Sequence, residues 1–159
     1  MLEIERKFLM DGFPTGLELL TEVYIEQGYV SFAPEVRIRK AVVRETGKEE
    51  YYLTIKGDGD LARREIETEI SREFYDDTVN FLGNNVVKKD YKKYRLGQWE
   101  LEVSLVDAGT EWEFYYAEIE FPTEDEANAF EIPEFFGIEI TYDNYYKMKN
   151  FWKRTRMEV

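Results

Sequence analysis

The feature that most constrains this chain is a two-residue alternation of apolar and charged side chains, which recurs along nearly its whole length. Eight segments show it, and they favour strands because they are rich in Ile, Val, Tyr and Leu. They lie at 2–10, 23–32, 35–44, 50–57, 62–71, 86–96, 98–106 and 115–122. Turn residues separate several of them, as at Gly47 and Gly97. The pattern predicts a sheet of short antiparallel strands.

Three further segments are predicted to be helices. Ser71 is a candidate N-cap for a helix that ends near Leu82. Thr123 and Glu126 form a capping box that opens a short helix through Phe130. A last helix is expected over about 143–154, with Tyr146, Lys149, Asn150 and Lys153 along one side.

These elements predict an α+β fold. Its sheet would be an eight-stranded antiparallel barrel with about three helices packed outside, because closure removes the exposed edges of such a sheet. No linker or fixed-period repeat interrupts the chain, so one domain over residues 1–159 is expected.

Composition excludes several kinds of chemistry. The chain has no cysteine and no histidine, which excludes thiol nucleophiles, Ser-His-Asp triads and zinc sites of the usual ligand set. Its net charge of −13 argues against nucleic-acid and membrane partners. No apolar run approaches the roughly 20 residues of a membrane span, and a cytoplasmic protein is expected. Carboxylates, Lys, Arg, Tyr and hard metal ions remain.

Successive strand residues point to opposite faces, so the alternation separates charged from apolar side chains. In the first segment Glu3, Glu5 and Lys7 share one face, while Ile4 and Phe8 take the other. The charged faces of the later segments carry Arg37, Arg39, Lys56, Arg63, Glu65, Glu67, Glu69, Glu100, Glu102, Glu118 and Glu120.

Two arrangements fit this separation. In the first, the charged faces are the solvated side of an ordinary half-buried sheet, which is the commoner case. In the second, the bulky apolar faces lie outward under the helices and the charges line a closed barrel, the reverse of a usual small barrel. Such a polar lumen suits a polyanion, because Lys and Arg bind phosphate and carboxylates reach it through a bridging Mg²⁺.

The charged residues fall in short motifs whose order is informative. The chain opens with Glu3-Ile4-Glu5-Arg6-Lys7. There follow Gln27-Gly28-Tyr29, Val36-Arg37-Ile38-Arg39, Leu53-Thr54-Ile55-Lys56-Gly57, Arg63-Arg64-Glu65-Ile66-Glu67, Trp99-Glu100-Leu101-Glu102, Ala117-Glu118-Ile119-Glu120 and Ile140-Thr141-Tyr142-Asp143. This series resembles the CYTH domains, or triphosphate tunnel metalloenzymes, whose ExExK signature the opening motif matches.

The resemblance implies an eight-stranded tunnel that hydrolyses a small triphosphate, with inorganic tripolyphosphate as the expected substrate and Mg²⁺ or Mn²⁺ as cofactor. It implies as phosphate ligands Lys7, Arg37, Arg39, Lys56, Arg63 and Lys88. It implies as metal-holding carboxylates Glu3, Glu5, Glu65, Glu67, Glu102, Glu118 and Glu120, of which Glu3, Glu5, Glu65 and Glu67 would be catalytic. The pattern does not indicate an oligomeric state.

Other functions remain open within the same resemblance. The family includes class IV-type adenylyl cyclases, thiamine triphosphatases and nucleoside triphosphatases. A non-catalytic module that binds polyphosphate or nucleotide is a further alternative. It is motivated by the sixth strand, where the family has Lys-x-Arg-Tyr and this chain has Lys88-Lys89-Asp90-Tyr91. Asp90 would repel an anion there, and Lys92 on the same face is a candidate substitute.

Overall fold

The structure is a computed structural model that describes residues 1–157, and its eight strands close into one antiparallel barrel. The strands are β1 (Leu2–Met10), β2 (Leu19–Phe32), β3 (Glu35–Val43), β4 (Glu49–Lys56), β5 (Ala62–Glu69), β6 (Val87–Leu96), β7 (Trp99–Val106) and β8 (Phe114–Glu120). Their order around the barrel is β1-β5-β4-β3-β2-β6-β7-β8. The predicted α+β fold with an eight-stranded closed barrel is confirmed. The last two residues of the domain predicted over 1–159 lie outside the described residues.

The second strand is longer than its alternation predicts. It begins at Leu19 rather than at Val23, and it passes through a register irregularity between Leu19 and Thr21 where it pairs with β6. An irregularity of this kind breaks the two-residue period, so the sequence pattern underestimates the strand. The added residues extend the contact of β2 with β6.

Helices cover the outside of the barrel, where the apolar strand faces form its main core. Ile4 and Phe8 of β1 pack in one buried cluster with Ala127 and Phe136. A second cluster joins Ile38 and other side chains of β3 and β4 to Tyr75 of the first helix. The hydrophobic stabilisation of this fold therefore comes largely from outside the sheet ring.

The first two helices begin where their capping residues predict. Helix α1 (Arg72–Phe81) is capped by Ser71, whose side chain accepts a hydrogen bond from the Phe74 backbone N–H at 3.0 Å. Helix α2 (Glu124–Ala129) is capped by Thr123, which accepts from the Glu126 backbone N–H at 3.1 Å. Each cap satisfies a backbone donor that the first helical turn leaves free.

The predicted continuous last helix is wrong. The chain instead forms a short 3₁₀ turn (Asn144–Tyr146), helix α3 (Met148–Trp152) and a wider turn (Lys153–Met157). Lys147 interrupts the helix with an extended backbone. Its ammonium donates to the Gly59 carbonyl at 3.2 Å and lies 3.0 Å from the Asp60 carboxylate. These contacts favour the break, so the four side chains expected along one side do not share a helix. No helix among residues 1–157 is long and apolar enough to cross a membrane.

The segment after α2 returns to β1 and pairs with its free backbone. The Leu9 N–H donates to the Ile138 carbonyl at 2.9 Å, and the Ile140 N–H donates to the Lys7 carbonyl at 2.8 Å. Gly137 makes this approach possible, because a Cβ at that position would lie 2.6 Å from the Leu9 carbonyl oxygen.

An ion pair locks this returning segment to the barrel. Both Arg6 nitrogens that face Glu139 donate to its carboxylate, at 2.7 and 2.8 Å. The remaining guanidinium nitrogen donates to the carbonyls of Ala127 and Phe130 at the end of α2. The Arg6 hydrogen bond lowers the pKa of Glu139, so the pair stabilises the folded state where the carboxylate is ionised.

We expect Glu139→Gln to lower the free energy of unfolding at pH 7 by about 1–2 kcal/mol, because the pair is bidentate and only partly solvated. A group with a lowered pKa stabilises the fold above its unfolded pKa and loses this effect as the pH falls through the folded pKa. The difference between variant and parent should therefore shrink toward pH 3, as measured by urea unfolding across pH. Glu134→Gln, at an exposed position, serves as control. A pH-independent difference would contradict this explanation.

Candidate active site in the barrel cavity

A cavity of about 260 Å³ lies among the strands, and side chains from all eight of them line it. Ionisable groups dominate its wall. The predicted site residues that line it are Glu3, Glu5, Lys7, Arg37, Arg39, Lys56, Arg63, Glu65, Glu67, Glu102, Glu118 and Glu120. Of the predicted set, Lys88 does not line the cavity.

On β6 the cavity receives Lys89 in place of Lys88. Lys88 is exposed, whereas Lys89 is 3% exposed and lines the cavity together with Tyr91. The cross-strand pairing of Lys93 with Glu102 decides which residues of β6 point into the barrel. Lys89, Tyr91 and Lys93 share the face of Glu102, which lines the cavity. Two adjacent lysines made the choice ambiguous in the sequence.

The same pairing places Asp90 away from the cavity. Its carboxylate accepts a hydrogen bond from the Arg44 guanidinium at 2.7 Å. Lys92 also lies outside the cavity, with its ammonium 4.3 Å from the centre of the Phe13 ring. The departure from the family motif at Asp90 therefore does not add a negative charge to the cavity wall.

The two arginines of β3 lie deep in the wall. Arg37 is 7% exposed, and its Nε has no hydrogen-bond partner among the described residues. Its Nη2 donates weakly to the Thr54 hydroxyl at 3.4 Å. Arg39 donates to the Gln27 side-chain carbonyl at 3.0 and 3.3 Å. A buried guanidinium with an unused donor is suited to an anion that enters the cavity.

Two lysines of the cavity wall contact Tyr116. The Lys7 ammonium lies 4.2 Å from the centre of its ring and donates to the Tyr146 carbonyl at 2.9 Å. Lys89 is hydrogen-bonded to the Tyr116 hydroxyl. Burial lowers the pKa of both lysines, and for Lys89 the neighbouring Arg39 guanidinium lowers it further. Nearby cations and desolvation both disfavour the charged amine.

Lys56 and Arg63 are paired with carboxylates, as is Lys147, which also lines the cavity. The Lys56 ammonium lies 3.0 Å from Glu3, and the Arg63 guanidinium lies 3.3 Å from Glu35. All four side chains are largely buried, so these pairs are shielded from solvent. The cavity therefore holds cations of two kinds, free of a carboxylate partner or paired with one.

Glu3, Glu5 and Glu120 form a compact carboxylate cluster. One oxygen from each lies within 4.8 Å of the others. Burial and the nearby Glu118 carboxylate raise the pKa of Glu5 well above its usual range. Burial also raises the pKa of Glu120, with a further contribution from Glu3. Carboxylates this crowded are stabilised by a proton or by a cation, so the donor set fits a hard divalent metal ion.

The other carboxylates differ in their ionisation. Burial opposes the charge on Glu118, yet Lys7 and Lys89 lower its pKa to about 2. Burial raises the pKa of Glu102 to about 7, and a hydrogen bond from the Tyr91 hydroxyl counters part of this effect. Burial and a hydrogen bond with Glu3 raise the pKa of Glu65 to about 7. Such shifts are typical of functional sites.

The C-terminal segment contributes part of the cavity wall. Met148 lines the cavity and belongs to an apolar cluster with Phe151 and Trp152 that packs against Tyr29 and Tyr116. The Trp152 indole N–H donates to the Asn85 carbonyl at 2.7 Å. The sequence does not predict this position, because a helical period alone does not show which end of a barrel a helix meets.

Cavity residues missed from the sequence include Glu35, Lys89, Tyr91 and Tyr116. The two-residue alternation could have identified Tyr116 by its strand face, because it shares that face with Glu118 and Glu120. Glu35 shares the face of Arg37 in the same way. Tyrosines carry no charge at neutral pH, so the alternation of charged and apolar residues does not mark Tyr91 or Tyr116 as site residues.

The closed barrel therefore encloses a site of a recognisable class. Its buried cations are suited to bind an anion, and its carboxylate cluster is suited to bind a divalent metal ion. Residues 1–155 match the CYTH domain family. The chain belongs to this family.

Two curated relatives cover most of the chain. It is 35% identical over 150 residues to a protein of Nitrosomonas europaea named inorganic triphosphatase, covering 94% of this chain and 95% of that protein. It is 32% identical over 155 residues to one of the same name from Acetivibrio thermocellus, covering 95% and 93%. A solved structure described as an inorganic triphosphatase is 34% identical, with a TM-score of 0.65 and coverage of 93% and 95%.

We expect inorganic polyanions to raise the melting temperature even with a chelator present, because the buried cations bind them in the folded state only. The shift should grow from phosphate to pyrophosphate to tripolyphosphate, as more oxygens reach the cations. Differential scanning fluorimetry at matched ionic strength measures this series. Arg37→Gln, which removes the unpartnered donor, should reduce each shift. Equal shifts for all three anions would contradict a site built for an extended phosphate chain.

Proposed function

We propose that this protein is a divalent-metal-dependent phosphoanhydride hydrolase that acts on inorganic tripolyphosphate in the barrel cavity. One observation carries the proposal: seven buried or half-buried basic side chains surround the same cavity as a three-carboxylate cluster. They are Lys7, Arg37, Arg39, Lys56, Arg63, Lys89 and Lys147. A small molecule with several adjacent phosphates matches such a set of donors better than a single phosphate does. The names of the two curated relatives support the same substrate class.

The cations would divide the binding of the phosphate chain. Arg37 and Arg39 line the cavity and make no salt bridge among residues 1–157, and the Arg37 Nε has no hydrogen-bond partner there, so they are suited to hold phosphate oxygens directly. Lys7 adds a further positive charge to the cavity wall. In a partly dehydrated site these contacts are stronger than on an open surface, and they stabilise the charge that develops on the departing phosphate.

Glu3, Glu5 and Glu120 would hold the divalent cation, with Mg²⁺ or Mn²⁺ as the proposed ion. Their oxygens already lie close enough together to share one ion. When bound, such an ion supplies charge neutralisation at the phosphate oxygens and a more acidic water. Glu65, hydrogen-bonded with Glu3, would position that cluster.

Lys89 is proposed to accept a proton during hydrolysis. Burial and the nearby Arg39 lower the pKa of its amine well below the ordinary value. With no histidine in the chain, a lysine with a lowered pKa is one of the few groups able to act as a base. Its hydroxyl neighbour Tyr116 fixes the amine in the cavity wall.

We expect Glu65→Gln to lower metal-dependent phosphate release from tripolyphosphate at least 100-fold, because the neutral amide supports the carboxylate cluster poorly. Phosphate release with Mg²⁺, Mn²⁺ or EDTA measures the effect. Glu69→Gln is a matched control, since Glu69 lies on the same strand, is exposed and does not line the cavity. It should retain parental turnover.

Three outcomes would contradict the proposal. Equal activity of Glu65→Gln and its parent would show that the Glu65 carboxylate is not required for hydrolysis. Binding of tripolyphosphate by the unmodified protein without metal-dependent release would indicate a non-catalytic module. Formation of cyclic AMP from ATP and Mn²⁺ as the main reaction would indicate an adenylyl cyclase.

Lys89→Arg should separate binding from proton transfer. Arginine can still donate hydrogen bonds to phosphate oxygens but stays protonated at every working pH, so it cannot accept the proton. We therefore expect kcat to fall at least 100-fold while the KM for tripolyphosphate changes by less than about fivefold. Steady-state kinetics measures both constants. An unchanged kcat would assign Lys89 to phosphate binding alone.

A further inference from the structure

Gln27 is a fully buried polar residue on the strand face of Ile25 and Tyr29, two residues that line the cavity. It is 0% exposed and does not itself line the cavity. It pairs in register with Arg39 between β2 and β3. Its side-chain oxygen accepts from both Nε and Nη2 of that arginine, at 3.3 and 3.0 Å. One amide oxygen thus holds two of the guanidinium nitrogens.

Tyr29 holds the other end of the amide. The Gln27 Nε2 donates to the Tyr29 hydroxyl at 2.9 Å. Arg39 determines the orientation, because a guanidinium has only donors and so requires the amide oxygen. The acceptor therefore faces Arg39 and the donor faces away from it. A reversed amide would place its N–H groups against the guanidinium, where like dipoles repel.

The partner of Arg39 carries no formal charge, and this distinguishes it from other cations of the wall. Lys56 and Arg63 are each paired with a carboxylate. Among residues 1–157, Arg39 makes no salt bridge. A carboxylate at the position of Gln27 would hold the guanidinium equally well but would cancel its charge toward an incoming anion.

We propose that Gln27 is a positioning residue that fixes Arg39 for the phosphate chain while leaving its full positive charge available. The inference rests on the proposed function for the identity of the ligand. Neutral anchoring keeps the guanidinium ordered before the anion arrives, so less conformational entropy is lost on binding. Thr54, a neutral hydroxyl that contacts Arg37, has the same relation to the other β3 arginine.

A double-mutant cycle on binding tests this role. Gln27→Met, Arg39→Met and the double variant are titrated with tripolyphosphate in EDTA by isothermal titration calorimetry, so that no metal-dependent turnover enters. Gln27→Met should weaken binding about tenfold in the parent. It should change binding by less than twofold once Arg39 is absent, because its effect acts through that side chain. An equal loss in both backgrounds, or no loss in the parent, would overturn the proposal.

A second variant tests the importance of neutrality. Gln27→Glu keeps an acceptor and a similar shape but adds a formal negative charge beside Arg39. We expect binding at pH 8 to weaken at least tenfold while the melting temperature stays within a few degrees of the parent. In the hydrolysis assay KM should rise more than kcat falls. Binding as tight as that of the parent would show that the charge of the partner does not matter.

Tyr75→Phe is the matched control for removal of a buried polar group. Tyr75 lies on the buried face of α1, and its hydroxyl has no partner among the described residues. This variant should bind tripolyphosphate within twofold of the parent. Because the cycle measures binding, a protein that binds but does not hydrolyse tripolyphosphate would refute the proposed function and leave the role of Gln27 intact.

Discussion

The structure depends on one constraint: several cations are held close together in a cavity shielded from water. Burial and mutual repulsion both disfavour such an arrangement. Lys89 shows the cost, since burial and Arg39 lower the pKa of its amine. A closed ring of paired strands can hold these cations together, because its backbone hydrogen bonds determine the direction of each side chain even where the charges repel one another.

The interior of this barrel consequently offers little hydrophobic stabilisation, and the fold obtains it elsewhere. Apolar side chains of β1, β7 and β8 pack outward beneath the segment that contains α2, and those of β3 and β4 pack beneath α1. The Arg6–Glu139 pair and the backbone contacts of Gly137 hold this outer layer against the strands. The packing that stabilises the fold thus lies outside the barrel, while the charged site lies inside. The site can therefore retain charged groups that lower the stability of the folded protein.

Much of the fold was predictable from the sequence, and twelve of the thirteen predicted site residues line the cavity, because both follow from the two-residue period. The period fixes which residues share a face, and this was sufficient to group Glu3, Glu5 and Lys7. The prediction fails where the two-residue period is interrupted, or where two adjacent residues of the same kind fit it equally well. The irregularity near Leu19 hides the start of β2, and the doubled lysines of β6 leave the choice between Lys88 and Lys89 to the cross-strand pairing. The break at Lys147 depends on distant contacts with the β4–β5 turn, which no local pattern contains.

The two kinds of cation also suggest how metal and anion would act together under the proposed function. Glu3 both pairs with Lys56 and belongs to the carboxylate cluster. Glu3 would divide its charge between Lys56 and a metal ion held by the cluster, so the Lys56 ammonium would be freer to contact phosphate once Glu3 serves as a metal ligand. An anion that draws Lys56 away would in turn leave Glu3 available to the metal. Binding of the two would therefore be mutually favourable, since such coupling is reciprocal. Arg39 lies outside this exchange because its partner is the neutral Gln27, so its charge is available before any metal binds.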